Sequence, residues 1–139
     1  MRYSALIILA ALIAAGWFYT RSNNVQNMQT MEIGQSKPIS VIIPEFTAAA
    51  RTGETYFNAK CAACHGKNAA GTENGPPFLH RFYRPAHHGD EAFQRAPKLG
   101  VQAHHWNFGN MPPVQGITRA EISKIITYVR ELQVANGIK

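Results

Sequence analysis

The sequence predicts a small all-α domain behind an apolar leader, and three features carry that expectation. Thr118-Arg119-Ala120-Glu121 is a capping box, and Ile122, Ile125, Ile126, Val129 and Leu132 follow it at helical spacing. Residues 47–60 carry two cap candidates and aromatic bulk. A third segment, opening at Asp90, repeats Phe93, Ala96 and Leu99 at helical intervals. At 139 residues the chain has room for one modest core.

Residues 1–20 read as an export segment. Met1-Arg2-Tyr3 precedes an apolar run from Ala5 to Ala15, followed by Gly16-Trp17-Phe18-Tyr19. Ser4–Tyr19 spans 16 residues, near the lower limit of about 17–25 for a spanning helix. Trp and Tyr prefer the membrane interface, which favours a transmembrane anchor. Cleavage after Gly16 is the alternative, with Ala14 and Gly16 as the small residues of a signal peptide. Either reading places the following domain outside a bacterial inner membrane, tethered to it or free in the periplasm.

Residues 21–46 read as a tether, with polar Asn23, Asn24, Gln26, Asn27 and Gln29. Pro38 and Pro44 bracket the apolar piece Ile39–Ile43, which is expected to pack as an arm along the domain or to meet a membrane partner. The domain proper is assigned to 47–139. In its first helix Thr47 or Thr52 is the cap, and Gly53 shares a face with Phe57. A glycine so placed marks close approach of another helix. Residues 66–89, with Gly75-Pro76-Pro77, read as loop. A short helix is expected over 90–103, with Pro97 breaking or kinking it unless a new turn starts there. Residues 104–117 are loop again. In the last helix Tyr128 lies four residues before Leu132, and Gly137 is the stop signal.

The formal net charge is +6, and from Thr47 onward 11 Lys or Arg face 6 Asp or Glu. Such an excess favours encounter with acidic partners or anionic headgroups. Lys and Arg are scattered, and no nucleic-acid module is recognisable, so nucleic acid is not the expected partner.

The chemistry concentrates in Cys61-Ala62-Ala63-Cys64-His65, which holds both cysteines of the chain. Two residues of separation are too few for a scaffold disulfide. A redox pair would not require the histidine, and a zinc site would need further ligands of matching kind. The pattern reads as attachment of one c-type haem. Each thiol forms a thioether to one vinyl group, and His65 points its imidazole at the iron. Met111, in Gly109-Asn110-Met111-Pro112-Pro113 and 46 residues after His65, is the candidate ligand on the opposite face. His104 or His105 is the rival. An axial imidazole needs a partner on its other nitrogen, and the Pro76 carbonyl is the candidate for His65. Trp106, Tyr83 and Arg84 are candidates to meet a haem propionate. The pairs His87-His88 and His104-His105 are open to hydrogen bonding, to solvent or to a second metal.

From about Thr47 to Ile138 the sequence resembles the class I monohaem cytochromes c with His/Met ligation. Gly53, Phe57 and Tyr128 match that family's crossing of N- and C-terminal helices. Cys61, Cys64 and His65 match its attachment site, Gly75-Pro76 the loop supporting the axial histidine, and Met111 before proline its distal ligand. The resemblance implies an all-α fold with the haem buried between helices and loops. It implies a single-electron carrier rather than an enzyme, serving redox-protein partners and no small-molecule substrate. The N-terminal extension and the two histidine pairs depart from the family pattern. Two other functions are carried alongside: a gas-sensing or peroxidase-like haem domain, and a fixed cytochrome subunit of a larger oxidoreductase.

Overall fold

Among the described residues from 41 onward four α-helices form, the first and the last with a polar side-chain cap, Thr47 and Thr118. They are α1 (Ala48–Lys60), α2 (Ala62–His65), α3 (Asp90–Leu99) and α4 (Arg119–Ala135), with 3-10 turns at Lys67–Ala69 and Arg81–Tyr83. The computed structural model describes residues 16–17 and 41–139. The expected leader, apart from Gly16 and Trp17, and the tether up to residue 40 lie outside the described residues. Among the described residues there is no β-strand, only the isolated bridges Thr72–Gly75 and Val101–Met111. No helix among them is long and apolar enough to cross a membrane.

Thr47, not Thr52, caps α1: its hydroxyl accepts the Ala50 N–H at 3.2 Å, while Thr52 Oγ turns back to the Ala48 carbonyl. The choice is fixed from outside the helix. Glu131 of α4 accepts both the Thr47 N–H (3.1 Å) and its hydroxyl (2.7 Å). Ala50, Gly53 and Phe57 form the buried face of α1. Against it lies the apolar stripe of α4, with Ile125, Tyr128, Val129 and Leu132 all buried. At the crossing a Cβ on Gly53 would lie 1.9 Å from the Lys124 carbonyl oxygen, so only glycine lets the two backbones touch. Tyr128 then packs against Phe57 (5.4 Å between centroids) and Phe46 (5.2 Å).

The arm packs over its described part. Phe46 is buried, Val41 lies against the core, and Asn136 clamps Ile42 through both backbone groups at 2.9 and 2.8 Å. The α4 capping box closes, with Thr118 N–H to Glu121 at 2.7 Å and Glu121 N–H to the Thr118 hydroxyl at 3.2 Å. At its far end Ile138 N–H reaches the Gln133 carbonyl (2.8 Å) and Gly137 N–H the Val134 carbonyl (3.2 Å). Gly137 takes φ +77°, completing a Schellman stop.

The helix expected over 90–103 ends at Leu99, two residues past Pro97, and Gly100 turns the chain with φ +75°. Leu99 was expected inward but is 67% exposed. At about 100° per residue it stands roughly 240° around the helix from Phe93, away from the face that buries Gln94 and Pro97. Within the expected 66–89 loop the structure adds the two 3-10 turns.

Gly53→Ala is expected to destabilise the holoprotein by about 2 kcal/mol or more, the upper end for overpacking a tight contact. Denaturant midpoints of wild type and variant measure it. Unchanged stability would mean that α1 and α4 do not meet at this glycine.

Candidate functional site

Helix α1 delivers the two cysteines. Its last turn closes with Cys61 N–H on the Phe57 carbonyl (2.8 Å), and the chain restarts as the single turn α2. Cys61 is half-buried against the core and Cys64 is exposed, both as free thiols. Burial, followed by the neighbouring Cys64, pushes the Cys61 thiol up to about 11.

His65 is buried at 7% exposure, and its Nδ1 lies 3.0 Å from the Pro76 carbonyl oxygen. A carbonyl can only accept, so Nδ1 carries the hydrogen and Nε2 is left as the free lone-pair nitrogen. Burial lowers the imidazole pKa against the opposing pull of Pro76, which favours the neutral, ligating form. The loop that supplies this carbonyl is seated by glycines. A Cβ on Gly75 would lie 2.8 Å from the Cys64 carbonyl oxygen. Gly71, at φ +84°, donates its N–H to the His65 carbonyl at 2.7 Å. Cys61, Cys64, His65 and Pro76 therefore form one covalently and hydrogen-bonded unit.

Met111 sits on a separate loop. Its N–H and carbonyl pair with those of Val101 at 2.9 Å each, and Val114 N–H bonds the Pro97 carbonyl at 2.8 Å. Gly100 has no room for a side chain, since a Cβ would lie 2.7 Å from the Met111 carbonyl oxygen. Pro112 and Pro113 follow, so this half-buried methionine is held by backbone pairing as well as by the prolines. Phe78, on the loop after Pro76, stands 4.2 Å from the His65 ring and 5.3 Å from Phe93 of α3.

Of the three candidate propionate donors, Trp106 and Tyr83 lie together. The Trp106 indole N–H is buried without a hydrogen-bond partner of good geometry. It is near enough to Tyr83 to oppose the burial that pushes that phenol up to about 12. Arg84 turns back onto the Arg81 carbonyl at 3.4 Å. Two free thiols, a neutral imidazole with one free nitrogen and an orphaned buried indole donor suit a covalently attached haem, whose propionates are acceptors. His87, His88, His104 and His105 converge from two loops, with His87 Nε2 3.1 Å from His105 Nε2.

Sequence reading missed the two polar residues that seat these loops, Arg130 and Gln133. Gln133 is 1% exposed and donates to the Phe78 and Tyr83 carbonyls at 2.9 Å each. Arg130 donates to the Tyr83 carbonyl (2.8 Å), the His88 carbonyl (2.7 Å) and Asp90 (2.9 Å). The signal was available: both residues fall four positions after core members, Ile126 and Val129, on an otherwise apolar stripe.

Among models of known protein families, the one described as Cytochrome c matches residues 50–133, more than half of the chain. No curated protein and no solved structure matches it.

Tyr83 gives a pH dependence. Its folded pKa of about 12 lies above the ordinary 10.0, so the neutral phenol stabilises the fold fully below pH 10. That contribution is lost as pH rises through about 12. The denaturant midpoint is expected to fall across this window, and to fall less in Tyr83→Phe. An identical decline in both proteins would contradict the buried phenol.

Proposed function

Since this chain belongs to the cytochrome c family and thereby carries a covalent c-type haem, we propose that it is a single-electron carrier. In this proposal its N-terminal segment holds it at the outer face of a bacterial inner membrane, or is cleaved to leave it soluble in the periplasm. Its partners are redox proteins with acidic docking surfaces, in keeping with the net charge of +6. The aromatic exit Trp17-Phe18-Tyr19 supports the anchored form.

When bound, the haem supplies one-electron exchange between ferric and ferrous iron. Cys61 and Cys64 hold it as thioethers. His65 ligates through Nε2, because Pro76 occupies the hydrogen on Nδ1. Met111, on the loop pinned by Val101, would supply the second ligand to the iron. A Met/His pair raises the reduction potential and leaves no open coordination position for a substrate or gas. Trp106 and Tyr83 would be the donors to a propionate. The observation that carries this reading is the buried His65, oriented by Pro76 beside two unpaired thiols.

The test is the spectrum and potential of wild type beside Met111→Ala. Wild type is expected to show a red charge-transfer band when oxidised and to bind carbon monoxide poorly when reduced. Met111→Ala is expected to lose the band, lower the potential and bind carbon monoxide. A wild type without the band that takes up carbon monoxide readily would favour the ligand-binding haem domain instead.

Gly75→Ala separates the role of Pro76. Its Cβ pushes on Cys64 and loosens the carbonyl from His65. A less basic imidazole stabilises oxidised iron less, so the potential is expected to rise with the red band retained. Each ~1 kcal/mol of lost differential hydrogen bonding equals roughly 40 mV for one electron. An unchanged potential would remove Pro76 from the mechanism.

A further inference from the structure

On the carrier reading above, with His65 and Met111 as the iron ligands, the histidine cluster is left without a part in holding the haem. His87 and His88 close the turn after Arg81–Tyr83, both N–H groups bonding the Arg84 carbonyl at 2.9 Å. His105 comes from the loop leading to Met111. The three rings can offer one nitrogen each with all three atoms within 4.8 Å of one another.

We propose that His87, His88 and His105 form a binding site for one first-row transition-metal dication, copper(II) most tightly. The separations suit such an ion. Two nitrogens bonded to one ion at about 2.0–2.1 Å stand about 2.9 Å apart in a square-planar arrangement and about 3.3 Å apart in a tetrahedral one, and His87 Nε2 and His105 Nε2 lie between these values at 3.1 Å. The rings are also oriented from behind. His88 Nδ1 bonds the Phe82 carbonyl, which leaves its Nε2 for the ion. Arg130 holds the His88 carbonyl at 2.7 Å, so the turn itself is fixed from α4. The His105 ring stacks on Phe82 at 4.4 Å and 20°.

The donor set selects the metal. No carboxylate belongs to the cluster, and Arg81 and Arg84 line the adjoining cleft with Phe82 and His87. Calcium and magnesium require oxygen ligands and gain nothing here. Neutral imidazoles suit zinc, nickel and copper, and copper(II) stands highest in affinity order. His104 is not among the three rings whose nitrogens converge within 4.8 Å.

The competing account is a plain hydrogen bond between His87 and His105. Titration of the holoprotein with copper(II), and separately with zinc(II), distinguishes the two. One saturable equivalent is expected, with nitrogen coupling in the copper electron paramagnetic resonance signal. His88→Asn and His105→Asn are each expected to weaken binding at least about tenfold, with the haem spectrum unchanged. His87→Gln provides a milder variant at an exposed position, with the same expected loss. Non-saturable uptake, copper signals without nitrogen coupling, or wild-type affinity in all three variants would overturn the site. Because the haem bands are read in the same samples, failure of this site and failure of the carrier reading are separable.

Discussion

The contact between Gly53 and the Lys124 carbonyl is the constraint on which the remaining geometry rests. With no side chain at Gly53, α1 and α4 approach backbone to backbone. That approach buries Phe57 against Tyr128 and fixes the direction in which α1 ends. Cys61 follows directly, bonded back to Phe57, so the attachment segment inherits its position from the crossing. Thr47 and Glu131 lock the other end of the same pair of helices. Burial of this aromatic cluster supplies the apolar contact area, and the glycine sets the distance at which it can be made.

The face of α4 that does not meet α1 does different work. Arg130 and Gln133 aim polar groups at backbone carbonyls of residues 78, 83 and 88, which the irregular loop leaves without ladder partners. A buried carbonyl without a donor is costly, so these two side chains stabilise a conformation that the loop would not hold alone. Arg130 also lies over the Phe93 ring at 4.9 Å, tying α3 into the same arrangement. Gln94 performs the reciprocal task from α3, donating to Ser123 and to the Arg119 carbonyl at the start of α4. Loops flanking His65, Tyr83 and His88 are thus held by one helix, which couples the proposed haem environment and the histidine cluster through a shared scaffold.

Local sequence patterns were sufficient for much of this. The pentapeptide Cys61–His65, the Thr118–Glu121 box, the Gly137 stop and the Gly53–Phe57 face are short-range features, whose meaning is set by backbone periodicity and covalent spacing. The Pro76 carbonyl was expected as the partner of His65 because an axial imidazole needs an acceptor and because the family resemblance implies it, whereas the close approach of Gly75 to Cys64 is seen only in the fold. Leu99 was misjudged because a three-residue repeat drifts around a helix when carried over six positions. The choice of Thr47 over Thr52 as cap needed Glu131, 84 residues away, and could not be read locally.

The sequence by itself determined the chemical identity of the attachment site and the two helices that frame it, because those depend on residue type at fixed short intervals. Only the tertiary structure decided which distant groups would meet. It joined His87 to His105 across 18 residues, buried the Trp106 indole beside Tyr83, and turned Gln133 inward to the loop carbonyls. Such pairings follow from loop closure and from the need to satisfy buried polar groups, and neither leaves a periodic trace in the chain.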